Sequence, residues 1–137
     1  MKKAIILIML LFVSSGLYAQ KQRIAILDFE AKDIPVSDAL KVTDLIRNAF
    51  VDIGKFTIIE RAKMGEILKE QGLQQTGCTD TACAVKLGKL LSARKILVGS
   101  VMKLGSKIVI AGRIVDVEKG VAEFSQNAVA NSTDDLF

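Results

Sequence analysis

The sequence predicts an α/β sandwich built on a mixed sheet, with elements in the order β-α-β-α-α-β-β-β. Two observations predict it. Up to about residue 92, short runs of branched apolar residues alternate with stretches whose apolar positions recur at helical spacing, the pattern of strand-helix units with parallel strands. Beyond residue 94 the period changes. "KILVGSVMKL", "KIVIAGRIVDV" and "VAEFSQNAVA" are strand-like and are separated only by short glycine-containing connections, which suit consecutive antiparallel hairpins.

The elements follow in order. "RIAILDF", residues 23–29, reads as a buried strand. Pro35, Ser37 and Asp38 open a helix in which Val42, Leu45, Ile46, Ala49, Phe50 and Ile53 keep helical spacing, and Gly54 closes it. "KFTIIE", residues 55–60, is a second strand. A short helix follows, with Met64, Ile67 and Leu68 inward and Gly72 as its stop. A third helix runs from about Thr81 to Leu91 or Ser92, capped by Thr79 or Asp80, with Cys83, Leu87, Leu90 and Leu91 on one stripe. The three-stranded meander comes next. The last residues, "NSTDDLF", look like a cap and the first turn of another helix, so a C-terminal helix is expected to be lacking.

Residues 1–19 have the layout of a secretory signal peptide: Lys2 and Lys3, an apolar run over residues 4–13, then small residues up to a cleavage site after Ala19. The apolar run is too short to cross a bilayer core of ~30 Å as a helix. No cysteine lies near the cleavage site, so no lipid anchor is expected. Residues 20–137 then form one domain, placed in the periplasm. The net charge of +4 includes Lys2 and Lys3, so the exported chain carries only about +2, which argues against nucleic acid or an anionic membrane surface as partner.

Export frames the reading of the two cysteines, Cys78 and Cys83. In an oxidising compartment nearby cysteines pair. Inside one helix, five residues would set them about 140° apart. With Cys78 in the loop before the cap, the chain can fold back onto Cys83. The alternatives are a zinc site, for which two cysteines and no histidine are too few ligands, and a redox-active pair, which normally uses C-x-x-C spacing. A structural disulfide is the expectation.

The lack of histidine also removes the Ser-His-Asp and Cys-His arrangements, and no phosphate-binding glycine loop occurs. No cofactor and no metal are expected. Two carboxylates remain, Asp28 and Glu60, each at the end of a strand pattern where α/β sheets often build sites. As a pair they could serve as general acid and base or hold a hard cation. The commoner reading is structural, with Asp28 tying down the turn before the first helix and Glu60 capping the next helix or pairing with Arg61.

"IAILDFEA", "FTIIERAKMGEILKEQGLQQTGC" and "AVKLGKLLSARKILVGSVMKLGSKIVIAGRIVDVEKG" together resemble the curli production assembly/transport (CsgG-like) family, over nearly all of residues 23–120. The positions that carry the likeness include Asp28, Glu60, Arg61, Gly88 and Gly99, read here as structural. The resemblance implies a periplasmic α/β domain that works by assembly and contains no catalytic centre. Its founding members are outer-membrane lipoproteins that form a ring-shaped secretion channel, and similar domains occur in lipoproteins that activate peptidoglycan synthases. This chain is shorter than a channel protomer, lacks a lipidation cysteine and lacks a clear pair of membrane-inserting hairpins.

The strand "KIVIAGRIVDV" is apolar on both faces, with only Arg113 breaking the pattern, which suits a central strand covered by protein on each side rather than a barrel strand. The expected function is a non-enzymatic interaction module in cell-envelope assembly or secretion, partnered by a copy of itself or another envelope protein. Any outer-membrane association would run through that partner. The alternatives are a protomer of an oligomeric outer-membrane pore and, third, a carboxylate enzyme using Asp28 and Glu60. No exposed apolar stripe stands out as an interface, because the expected core claims nearly every apolar run.

Overall fold

The apolar run after Arg23 builds the middle of the sheet. The computed structural model describes residues 20–75, 77–132 and 135; the leader-like residues 1–19 and most of the last few residues, which read as the cap and first turn of a helix that is not completed, lie outside the described residues. The strands are β1 (Gln22–Ile26), β2 (Glu30–Lys32), β3 (Phe56–Ile58), β4 (Lys95–Leu104), β5 (Lys107–Asp116) and β6 (Val121–Ala130). The helices are α1 (Val36–Ile53), α2 (Arg61–Glu70) and α3 (Thr81–Leu90). The sheet runs β3-β1-β4-β5-β6, parallel on the β3-β1-β4 side and antiparallel through the β4-β5-β6 meander.

Topology decides which helix covers which face. The chain leaves β1 for β3 on one side through α1, then crosses back over β1 to β4 through α2 and α3. Right-handed crossovers in opposite directions put their helices on opposite faces. Alternating residues of β1 record this. Ile24 and Ile26 pack with Ala39 and Val42 of α1, whereas Ala25 and Leu27 pack with Met64 and Leu68 of α2 and Leu87 of α3.

One expected element is divided. The sequence predicts one continuous strand over residues 23–29, but it is interrupted at residues 27–29 and resumes as β2, where the pairing passes from Ile26 with Leu97 to Glu30 with Ser100, a slip of one residue against β4. Thr43 explains the break: its hydroxyl accepts from Phe29 N–H at 3.0 Å, drawing that amide out of the ladder toward α1. The Phe29 ring, 2% exposed, then turns onto β4.

A second expectation needs correction. β6 is exposed along almost its whole length, with Phe124 53% and Val129 61% accessible. The apolar residues of the last strand therefore do not all belong to the core. β6 is an edge strand, and α1 lies over the other end of the sheet, so neither of its faces gains a full helical cover.

Candidate functional site

Asp28 sits at the carboxyl end of β1, the place where an open α/β sheet changes direction and where sites commonly form. Its side chain is 4% exposed and lies between α1 and α2. Arg61, the first residue of α2, donates to both carboxylate oxygens, from Nε to Oδ1 at 2.9 Å and from Nη2 to Oδ2 at 2.6 Å. Arg47 of α1 reaches the same corner, donating to the Ile26 carbonyl at 3.1 Å and lying 3.5 Å from Asp28 Oδ1. The hydrogen bond to Asp28 raises the Arg61 pKa above its ordinary value. Glu60 is the N-cap residue of α2, is exposed, and forms no side-chain capping bond.

This arrangement separates the two carboxylates chemically. A carboxylate locked bidentately to a guanidinium must break that pair before it can take a proton or a metal. Among the described residues no cluster of three histidine, cysteine or acidic side chains could hold a metal ion. The corner acts as a clamp between the helices of opposite faces.

The two glycines singled out by the sequence occupy crowded places. A Cβ on Gly88 of α3 would collide with a Val117 methyl, and one on Gly99 of β4 would collide with the Phe29 ring and the Ala111 carbonyl. Both therefore let neighbouring parts approach more closely than any other residue would allow.

The disulfide joins Cys78 to Cys83 with the Cα atoms 5.7 Å apart. Asp80 caps α3 by accepting from Cys83 N–H at 2.8 Å, and Cys78 is buried in the same core cluster as Leu87 and Leu91. The bridge holds the loop against the start of α3.

A charge network at the opposite end of the sheet escaped the sequence reading. Lys95 opens β4 and Asp116 closes β5; the register sets them opposite each other, with Nζ 2.7 Å from Oδ2. Glu123 pairs with the same ammonium from the irregularity in β6, and Arg94 lies 3.3 Å from Asp116. The hydrogen bond from Lys95 and the Lys119 backbone N–H hold the Asp116 carboxyl down to about 2 against the opposing effect of burial. Burial pulls Lys95 down, and its hydrogen bonds to Asp116 and Glu123 outweigh this and raise it. The available signal was a lysine and an aspartate at matching ends of an otherwise apolar hairpin.

The uncovered part of the α1 face forms an apolar trough of about 180 Å³. Phe29, Phe50, Ile110, Ile114, Phe124 and Ala128 line it. β6 forms its outer wall and presents an unpaired strand edge. From Phe124 to Ala130 that strand carries no charge and no proline, the usual devices that keep an edge from pairing.

The described residues form an α/β fold with a helical clamp, a stapled loop and one open edge, an architecture that offers surface for contact. The family comparison agrees: the profile of the curli production assembly/transport component CsgG matches residues 12–136, and the chain belongs to that family. No curated protein sequence matches it. Among solved structures, the fold is similar to the LpoB C-terminal domain of Escherichia coli at 15% identity, covering 90% of this chain and 92% of that one with a TM-score of 0.65. It is also similar to lipoprotein GNA1162 of Neisseria meningitidis at 17% identity, covering 81% of each chain with a TM-score of 0.62. At those identities the likeness describes the fold.

Proposed function

We propose that this chain is a non-enzymatic periplasmic module in cell-envelope assembly or secretion, acting through contact with a copy of itself or another envelope protein. The observation that carries the reading is the open end of the sheet, where an uncharged edge strand borders an apolar trough. Membership of a family described by production, assembly and transport supports it. Residues 1–19 would be the leader, removed after about Ala19, and the Cys78–Cys83 bridge suits an oxidising compartment. The third alternative, an enzyme built on Asp28 and Glu60, loses its support with Asp28 clamped by Arg61.

The test is the absolute molar mass of the exported protein by light scattering on a sizing column, with and without detergent, followed by capture of envelope proteins. A monomer or dimer in both conditions that retains a defined envelope partner fits the proposal. A discrete ring-sized species appearing in detergent would replace it with the pore.

A further inference from the structure

A small polar basin lies on the α2/α3 side of the meander, on the face opposite the trough. Register builds it. On β5, Arg113 stands between Val98 of β4 and Ser125 of β6, and two residues away Ala111 stands between Ser100 and Asn127. Directly opposed side chains of an antiparallel sheet lie ~5 Å apart. The short Ala111 is thus a floor ringed by Ser100, Arg113, Ser125 and Asn127, and Thr79 of the disulfide loop closes one side. The cavity measures about 320 Å³. That is enough for a small ligand group, at the lower end of the usual ~300–1,000 Å³.

Two groups of the basin are left short of partners among the described residues. Arg113 is partly buried, yet among the described residues no carboxylate lies within ion-pair reach, and its side-chain hydrogen bond there is a long 3.5 Å approach to Thr81 Oγ1. Arg47, Arg94 and Lys95, the other cations among the described residues that are not openly exposed, each hold at least one carboxylate. A guanidinium withdrawn from water without a counter-charge is unfavourable. Ser100 is 5% exposed, and its hydroxyl makes no hydrogen bond among the described residues.

We propose that this basin binds a single carboxylate. The planar fork of Arg113 matches its two oxygens. The Ser100 and Ser125 hydroxyls and the Asn127 amide can donate to the lone pairs that remain. One cation with neutral donors balances one negative charge, so a phosphate dianion would be left half neutralised. No acidic residue lines the cavity, and nearby Asp80 already accepts from Cys83 N–H. The disulfide gains a role here, because it fixes Thr79 at the rim. The assignment stands independently of the envelope reading.

The test uses ¹⁵N-labelled exported protein at fixed ionic strength, titrated with three probes: sodium acetate, a short N-acetylated peptide with a free C-terminal carboxylate, and the same peptide amidated. Saturable amide shifts at Ala111, Arg113 and Ser125 are expected with the first two and none with the third. Arg113→Gln should weaken the response about tenfold or more, as loss of a charge-assisted hydrogen bond implies. Ser125→Glu, on an exposed strand opposite Arg113, should occupy the guanidinium from within and abolish the shifts without lowering the melting temperature. That second variant keeps the result readable if Arg113→Gln does not fold. Acetate binding as tightly as the peptide assigns the basin to free carboxylates, and tighter peptide binding assigns it to a chain terminus. Absence of saturation with either carboxylate, stronger binding of inorganic phosphate, or shifts that persist in the folded variants would overturn the proposal.

Discussion

The two faces of this sheet are built to different degrees of completion. On one, α2 and α3 lie side by side and bury Met64, Leu68, Leu87 and Leu91 against the alternate residues of β1, β4 and β5. On the other, α1 alone covers the β3-β1-β4 end, and Ile110, Ile114 and Phe124 are left lining an open trough. A helix is about 10 Å across, the width of roughly two strands, so one helix cannot cover five. The consequence is a division of labour: the doubly covered face supplies stability, and the half-covered face leaves apolar surface available for contact.

Truncation should expose the contrast most strongly. Leu68→Ala, at a fully buried position, is expected to destabilise the fold by about 3 kcal/mol, with a cavity and lost burial both contributing. Phe124→Ala removes a larger side chain, yet should change stability by no more than about 0.5 kcal/mol, because the ring is already half in water. Urea unfolding of the two variants measures the difference directly; equal losses would mean that the trough is closed in solution.

Added methyl groups probe the same contrast from the opposite direction. Gly88→Ala forces α3 away from Val117 and should cost about 1–3 kcal/mol. On the other face, a Cβ on Gly112 would meet Phe29 Cζ at 3.6 Å, an ordinary contact, so Gly112→Ala should stay within about 0.5 kcal/mol of the parent. Thermal melting of both variants is the check, and a loss at Gly112→Ala as large as that at Gly88→Ala would break the comparison.

Most of this architecture was legible in the sequence because it follows from period. The helical spacing through Val42, Ile46 and Phe50 and the branched runs of the meander fix type and order before any contact is known. The cap at Asp80 and the loop placement of Cys78 were equally local. What could not be read was coverage. The alternation in β5 announces two apolar faces, but whether each is covered depends on how many helices cross on each side, which is a property of the whole topology. The break at residues 27–29 was hidden for a related reason, since the hydroxyl that captures Phe29 N–H belongs to Thr43, fourteen residues on. Arg113 was visible as the lone polar interruption of its strand, and its surroundings were not, because Ser100 and Asn127 become its neighbours only through register.

Where the two faces meet, Asp28 ties α1 to α2 through Arg47 and Arg61, and its loss should be felt on both sides. Asp28→Asn is expected to cost about 1–2 kcal/mol. That is below the value for a wholly buried pair, since the Arg61 side chain is 48% exposed and water screens it. Arg61→Ala should cost less than Asp28→Asn, about 1 kcal/mol, because it leaves Asp28 within reach of Arg47. Chemical unfolding of the two single variants and the double variant gives the coupling, and strict additivity would show that the clamp contributes nothing as a pair.

A pH-dependent effect belongs to the charged end of the half-covered face, where Lys95, Asp116 and Glu123 join the three meander strands. Because the folded Asp116 carboxyl titrates at about 2, below its unfolded value, its stabilising contribution is complete above about pH 4. It fades as the pH falls toward 2. The raised Lys95 acts in the opposite sense, contributing below its ordinary range and losing that contribution only as the pH rises through its higher folded value. Stability from this network should therefore be flat between pH 5 and 9 and decline on the acid side first. Melting temperatures of the parent and Asp116→Asn should differ across the neutral plateau and converge near pH 2, and a constant difference down to that pH would mean that Asp116 holds the meander by shape rather than by charge.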